Sequence, residues 1–274
     1  MSRLEEALEK AAMLRTSQND QTPPAKPSVL PAHVPPPPTA ETIKLTNQLL
    51  VAATDPHTPI AEEYRKLKTL IVQLTRGENR NMLMVSSSIS NEGKSITALN
   101  LALTLAQEYD HTVLLVDADI RRPSIQNYMG LQKGVGLTEC LLEGVDVKDA
   151  LIKTGIGKLS LLPAGKGVQR NPGEIFSSKR AKEFFLEIKQ RYHDRYIIID
   201  TPPVLPFAET RSLSTLVDGV ILVVKEGKVP LHQIKETIDC LKGANLLGIV
   251  YNESTVEAPA VYHHYYREYY AEAV

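Results

Sequence analysis

The sequence predicts an α/β fold in which helices flank a mainly parallel, twisted sheet. Between residues 42 and 252, short apolar runs of strand length alternate with segments whose apolar residues recur at helical spacing. Three of the apolar runs are followed directly by polar residues, and ligands in open α/β sheets gather at the carboxyl ends of strands. We therefore expect one α/β domain over residues 42–252, with a ligand site along one edge of its sheet.

Six strands and three clear helices are predicted within this domain. The predicted strands are Met82–Ser87, Thr112–Val116, Leu159–Leu162, Tyr196–Asp200, Val220–Val224 and Leu247–Tyr251. The predicted helices are Lys94–Glu108, Lys179–Tyr192 and Leu231–Gly243. This alternation is typical of parallel strands that are joined by helical crossovers.

Composition and charge argue against several classes of protein. Of 274 residues, 43% are hydrophobic, and the net charge of −1 provides no basic field for general nucleic-acid binding. Cys140 and Cys240 lie outside any metal-ligand spacing, so a reducing compartment is the simplest interpretation. No apolar stretch reaches the roughly 18 residues of a spanning helix, and the first residues do not resemble a secretory signal. We expect a cytoplasmic protein that is recruited to the inner membrane only through a partner.

Three further segments flank this domain. Residues 1–18 are predicted to form an amphipathic helix with a Ser2–Glu5 capping box, for which docking on a partner and a weakly helical leader are equal alternatives. Residues 19–41 are rich in proline and predict an extended linker rather than a ligand for SH3-like modules. Residues 253–274 form a predicted tail with a tyrosine cluster. Its members are Tyr262, Tyr265, Tyr266, Tyr269 and Tyr270.

The strongest local signal is the stretch of residues 88–95, Ser-Ile-Ser-Asn-Glu-Gly-Lys-Ser, between a predicted strand and a predicted helix. It fits a phosphate-binding loop in which backbone amides and the helix dipole favour phosphate oxygens. Lys94 is expected to reach the β- and γ-phosphates, and Ser95 to offer its hydroxyl to Mg²⁺. The predicted nucleotide-binding residues of this stretch are Ser90, Asn91, Glu92, Gly93, Lys94, Ser95 and Ile96.

Carboxylates at the ends of two predicted strands complete the expected site. Asp117 and Asp119 follow one strand, and Asp200 ends a later strand within Ile-Ile-Ile-Asp-Thr-Pro. Asp117 or Asp119 is expected to accept a proton from an attacking hydroxyl, while Arg121 offsets negative charge or bridges to a neighbouring subunit. The predicted metal ligands are Ser95, Asp117 and Asp200. The predicted catalytic residues are Lys94, Asp117, Asp119 and Asp200.

In this order, the three motifs resemble those of the MinD/ParA-type P-loop superfamily, and most closely those of the cytoplasmic, exosortase-associated bacterial tyrosine kinases that govern polysaccharide export. The resemblance extends from about Pro59 to the C-terminus, and Ile89 stands where the MinD/ParA branch has a second lysine. It implies an Mg²⁺–ATP site and a protein-tyrosine autokinase. The tail tyrosines would be phosphorylated in trans, which would regulate exopolysaccharide biosynthesis and export.

The resemblance also implies how the protein assembles. Glu62, Arg65 and Lys68 match an ExxRxxR helix used in ring assembly, with lysine replacing the last arginine, and Asn252 matches a position that touches adenine in related folds. The implied partners are a membrane-embedded polysaccharide chain-length regulator as activator, a ring of identical chains and a cognate tyrosine phosphatase, with no nucleic acid. The alternatives are a MinD/ParA-like ATPase without kinase activity and a nucleotide-binding adaptor of the export machinery.

Overall fold

The structure is a computed structural model, and it describes residues 43–76, 80–108, 111–167, 171–191 and 195–255. The predicted helix of residues 1–18, the linker of residues 19–41 and the five tail tyrosines lie outside these described residues. Within the described part, no helix combines the length and apolar character that crossing a membrane requires.

The described residues form a seven-stranded sheet with helices between most of its strands. The strands are β1 (Met82–Ser87), β2 (Thr112–Asp117), β3 (Ile152–Lys153), β4 (Leu159–Leu162), β5 (Arg195–Asp200), β6 (Gly219–Lys225) and β7 (Leu246–Asn252). The helices are α1 (Val51–Thr54), α2 (Pro59–Thr75), α3 (Lys94–Ala106), α4 (Ile125–Tyr128), α5 (Leu137–Leu142), α6 (Val147–Ala150), α7 (Pro172–Ser177), α8 (Lys179–Gln190), α9 (Ala208–Ser214) and α10 (Leu231–Cys240).

The order of the strands decides which loops meet. The sheet runs β3-β4-β2-β5-β1-β6-β7, and its neighbours are parallel except for β3, which is antiparallel to β4. Because β5 lies between β2 and β1, the carboxyl ends of these three strands are adjacent. Asp117 is directly opposite Asp200, which in turn is opposite Val85 in β1. The predicted α/β class with a mainly parallel sheet is confirmed.

The core lies on both faces of the sheet, which explains the continuous apolar runs of the strands. Met82 and Met84 face one apolar cluster, while Leu83 and Val85 face the other, as the alternation of side chains along a strand requires. Helix α3 is almost entirely buried in the second cluster. The β1–α3 connection is therefore held between the sheet and a buried helix.

A polar residue within α3 fixes the start of helix α1 and the residues before it. The side chain of Asn100 is fully buried, donates to the carbonyl of Leu49 (2.8 Å) and accepts from the amide of Ala52 (3.0 Å). Gln107 donates to the carbonyl of Ala52 as well (3.0 Å). Buried amides and carbonyls need such partners, so these contacts tie residues 49–52 to the helix that follows the predicted phosphate-binding loop.

All six predicted strands are confirmed to within one residue at each end. The three predicted helices are confirmed as well, but they end earlier than expected, at Ala106, Gln190 and Cys240. In the last case the chain turns out of the helix before Gly243, whose φ of 99° is left-handed. The two-residue strand β3 and several one-turn helices were not predicted, because such short elements leave no periodic pattern.

Candidate active site

The loop after β1 has the backbone that a phosphate-binding loop requires. Asn91 and Gly93 both have left-handed φ values, of 61° and 94°, and Gly93 caps the start of α3. A Cβ atom on Gly93 would lie 2.0 Å from Nδ2 of Asn252, so this position needs glycine for space as well as for conformation. Ser90 lies half-buried in the loop, and Ile96, on the first turn of α3, packs partly against the core.

The side chain of Glu92 points into the protein and holds the loop from beneath. Its carboxylate is fully buried and accepts from the amide of Ile89 (2.8 Å) and from the amide of Lys225 at the end of β6 (3.3 Å). Glu92 was predicted as a nucleotide-binding residue. In the structure its carboxylate binds backbone amides, so a contact between Glu92 and phosphate would come from its main chain.

Two residues that follow β6 and end β7 also hold the loop. Asn252, at the end of β7, donates from Nδ2 to the carbonyl of Glu92 (2.9 Å), and Lys228 donates from Nζ to the carbonyl of Asn91 (2.8 Å). These contacts fix the two residues that precede Gly93. The loop is therefore preformed, which lowers the entropic cost of ordering it around a ligand.

The side chain of Lys94 meets the carboxylates at the neighbouring strand ends. Its Nζ lies 3.0 Å from Oδ2 of Asp119, 3.8 Å from Oδ1 of Asp200 and 3.2 Å from Oγ of Ser95. Only 11% of the Lys94 side chain is exposed. One buried ammonium thus faces two carboxylates, with Asp117 directly beside Asp200 on the adjacent strand.

Asp117 organises the turn that carries Asp119. Its Oδ1 accepts from the amide of Asp119 (3.2 Å), and its Oδ2 accepts from the amides of Ser124 and Ile125 (both 3.1 Å). Asp119 in turn accepts the amide of Arg122 (3.0 Å). Both oxygens of Asp117 are therefore engaged by backbone, whereas Asp119 directs one oxygen to Lys94.

The crowding of these carboxylates perturbs their pKa values. Burial raises the pKa of Asp117 to about 8, the charge of Asp200 adds to this, and the amide of Ile125 opposes it. Burial also raises the pKa of Asp200 to about 6, against the attraction of Lys94. Burial alone would lower the pKa of Lys94, but the charges of Asp200 and Asp119 outweigh it and raise the pKa. Three carboxyl groups thus share one lysine, and the raised pKa values of Asp117 and Asp200 reflect this crowding.

This arrangement fits a divalent cation. Both oxygens of Asp200 are fully buried and lack a hydrogen-bond partner among the described residues. A buried carboxylate that makes no hydrogen bond and has only a 3.8 Å ion pair with Lys94 is costly unless a further cation joins it. The hydroxyl of Ser95 lies beside the same lysine, and oxygen ligands of this kind suit Mg²⁺ when substrate phosphates and water complete its shell.

The residues of the predicted ring motif lie on α2. Arg65 forms an ion pair with Glu62 and also donates to the carbonyl of Pro56, while Lys68 pairs with Glu108 at 2.6 Å. The three charges of the motif thus have partners within the chain. Lys68 also joins α2 to Glu108, just after the end of α3, so the motif helix is linked to the helix that begins at Lys94.

Comparison with known proteins assigns the family. Residues 84–246 match the model of a family described as an AAA domain. The tyrosine-protein kinase YwqD of Bacillus subtilis (strain 168) is 34% identical over 219 residues, which cover 79% of this chain and 90% of YwqD. The succinoglycan biosynthesis transport protein ExoP of Rhizobium meliloti (strain 1021) is 28% identical over 229 residues, 79% of this chain but 29% of ExoP.

A solved structure agrees with these matches. The crystal structure of the chimerical protein CapA2B2 has a TM-score of 0.69 and 27% identity, and the match covers 76% of this chain and 91% of that chain. The same family is indicated by the matched family model, by the relative named a tyrosine-protein kinase, and by the loop with its lysine and aspartates. The chain belongs to the bacterial tyrosine kinases, a family of protein-tyrosine kinases built on the P-loop fold.

Proposed function

We propose that this chain is an ATP-dependent autokinase that phosphorylates its C-terminal tyrosines in trans and so regulates exopolysaccharide biosynthesis and export. The observation that carries the proposal is the buried contact of Lys94 with Asp119 and Asp200 beside a preformed phosphate-binding loop. Phosphoryl transfer needs positioning and charge neutralisation more than covalent help from the protein. A lysine among strand-end carboxylates supplies both.

The proposed transfer gives each side chain one task. Lys94 exchanges its carboxylate partners for the β- and γ-phosphates of ATP. Asp119 accepts the proton of the tyrosine phenol, whose oxygen forms a bond to the γ-phosphorus while the bond from that phosphorus to the bridging oxygen breaks and ADP leaves. Asp119 suits this task better than Asp117, because backbone amides occupy both oxygens of Asp117.

Ser95 and Asp200, with Asp117 directly or through water, would hold Mg²⁺. When bound, the cation neutralises charge on the phosphate oxygens. The loop residues 90–96 would surround the phosphates. The side chain of Asn252 already contacts the loop, so its proposed contact with adenine would use the amide oxygen that its bond to Glu92 leaves available.

The proposal also covers assembly and process. Glu62, Arg65 and Lys68 would contribute to a ring of identical chains after exchanging their internal partners for those of a neighbour. Similarity to ExoP, whose name refers to succinoglycan biosynthesis and transport, supports a role beside a membrane-embedded chain-length regulator. Each phosphotyrosine adds about −1.5 to −2 charges, enough to separate neighbours by repulsion until a cognate phosphatase removes them.

The test is to incubate purified protein with Mg²⁺ and ATP, with and without the cytoplasmic segment of the membrane regulator, and to map phosphate by mass spectrometry. We expect phosphotyrosine among residues 262–270. It should be absent in Lys94→Met and unchanged in Lys179→Met, which alters a lysine whose side chain is 90% exposed.

Two other results would point to other functions. ATP hydrolysis that depends on Lys94 without any phosphotyrosine would identify a MinD/ParA-like ATPase. Nucleotide binding with neither reaction would identify an adaptor of the export machinery. Either result, obtained with the regulator segment present, would overturn the kinase proposal.

A further inference from the structure

Arg121 makes a contact that the proposed transfer does not use. Its Nε and Nη2 donate to the two carboxylate oxygens of Glu209 on α9, the second at 3.4 Å. Its guanidinium carbon also lies 4.7 Å from the centre of the Phe207 ring. Arg121 belongs to the turn that carries Asp119, whereas Phe207 and Glu209 follow Asp200 in the chain. The contact therefore bridges the two loops that bear the carboxylates of the site.

The contact between Arg121 and Glu209 differs from an ordinary surface ion pair because its carboxylate is buried. Only 1% of Glu209 is exposed, and a buried carboxylate needs a charged partner of this kind. The hydrogen bond to Glu209 is the main cause that raises the pKa of Arg121. A guanidinium fork that pairs with both oxygens and stacks on an aromatic ring fixes direction as well as distance.

Asp119 depends on a partner that ATP would take away. In the structure Asp119 is held by its ion pair with Lys94 (3.0 Å) and by the backbone contacts of its turn. Lys94 must turn to the phosphates when a triphosphate binds. From then on, only the turn keeps Asp119 in place. Asp117 holds the two ends of that turn through the amides of Asp119, Ser124 and Ile125, and Arg121 ties its middle to Glu209.

We infer that Arg121 and Glu209 form a clamp that positions Asp119 for phosphoryl transfer after Lys94 has moved to the nucleotide. This inference rests on the proposed function of the same site. Arg121 is a positioning residue, since its guanidinium is engaged by Glu209 and Phe207 and it acts through the backbone of the turn. The clamp should therefore matter for the rate of transfer and hardly at all for the affinity for ATP.

The test compares Arg121→Lys, Glu209→Gln and the double variant with the unaltered full-length chain. Lysine keeps the charge beside Glu209 but loses the fork, and glutamine keeps the shape but loses the charge. The readouts are kcat for tyrosine phosphorylation, kcat for ATP hydrolysis and the dissociation constant for Mg²⁺–ATP. The matched controls are Arg191→Lys and Glu187→Gln, an arginine–glutamate pair at the C-terminal end of α8 with the same 35% exposure of its arginine.

We expect each single variant to lower kcat roughly 10- to 100-fold, as small displacements of catalytic groups do. The dissociation constant for Mg²⁺–ATP should stay within about threefold, and the controls should keep full activity. Because the two residues act through one contact, the double variant should be no slower than the slower single variant.

Several results would overturn the clamp. These are a kcat within about twofold of the unaltered chain, losses that multiply in the double variant, or a loss confined to ATP affinity. Unfolding of all three variants at the assay temperature, measured by circular dichroism, would also overturn it, because Arg121 would then serve the fold. If the unaltered chain forms no phosphotyrosine, the kinase proposal fails, yet ATP hydrolysis by the same variants still decides whether the clamp exists.

Discussion

Replacing Asp200 with asparagine should stabilise the nucleotide-free protein while it abolishes activity. Burial raises the pKa of this carboxyl from its ordinary 3.8 to about 6. The folded chain therefore holds the proton more tightly than the unfolded chain, and its stability falls as the pH rises through this interval. Each pKa unit is worth about 1.4 kcal/mol, so the ionised carboxylate costs about 3 kcal/mol at pH 8. Asparagine removes that cost because it never ionises.

Denaturation by urea at two pH values measures this effect. We expect the free energy of unfolding of Asp200→Asn to exceed that of the unaltered chain by about 3 kcal/mol at pH 8. At pH 5, where much of the folded carboxyl is protonated, the difference should be about half of that. Asp239→Asn is the control, because this exposed residue pairs with Lys242 at the surface, where such pairs are worth at most about 1 kcal/mol.

Saturating Mg²⁺–ATP should reduce or reverse the difference in stability between Asp200→Asn and the unaltered chain. At a ligand concentration 100 times its dissociation constant, binding adds about 2.7 kcal/mol to the unaltered chain. Asp200→Asn should gain much less, because it lacks the carboxylate proposed to hold the cation. A lower stability of Asp200→Asn than of the unaltered chain at pH 8 without ligand, or an advantage that does not vary with pH, would refute a raised pKa of Asp200.

Three more substitutions test the loop and its surroundings. Lys94→Met should lower the rate of phosphoryl transfer about 1000-fold with the fold intact, and a smaller loss in a single-turnover assay would remove Lys94 from its assigned place. Gly93→Ala should cost at least about 2 kcal/mol in a urea titration, because φ is left-handed and Asn252 occupies the space. Combining it with Asn252→Gly should restore only the steric part. Asn100→Leu should cost about 2–3 kcal/mol, because two backbone groups lose buried partners, and a cost below about 0.5 kcal/mol would contradict the tie to residues 49–52.

The parts of the site that the sequence predicts are those at the ends of its predicted strands. Lys94, Asp117 and Asp200 each follow or end an apolar strand, and parallel strands bring their carboxyl ends to one edge of a sheet. The adjacency of β2, β5 and β1, which only the structure shows, brings these side chains together. Local sequence pattern and fold class are therefore enough to predict the phosphate-binding loop and its carboxylates.

The contacts that brace the site were beyond sequence reasoning. Glu92 binds an amide 133 residues away, and Lys228 reaches a carbonyl 137 residues away. No local pattern distinguishes these side chains from solvated ones, because their partners are backbone groups brought near by tertiary packing. Arg121 was singled out by its motif, but its partner Glu209, 88 residues further along, carries no signal in the sequence.

The sequence also could not show that Asp117 and Asp119 have different roles. Asp117 and Asp119 are two residues apart and equally acidic in the sequence, so both remained candidate proton acceptors. The turn after β2 separates them, because it directs three amides to Asp117 and leaves Asp119 facing Lys94. Such a distinction depends on backbone geometry rather than on residue type.

Transfer of phosphate between two chains tests the central claim most directly. A chain that ends at Thr255 and keeps Lys94 is mixed with full-length Lys94→Met in Mg²⁺ and ATP, with the regulator segment present, and intact mass is recorded for both. The account predicts added phosphate on the Lys94→Met chain, at tyrosines 262–270, and none when the shorter chain carries Asp200→Asn. An unmodified Lys94→Met chain, beside a shorter chain that binds ATP, would contradict it.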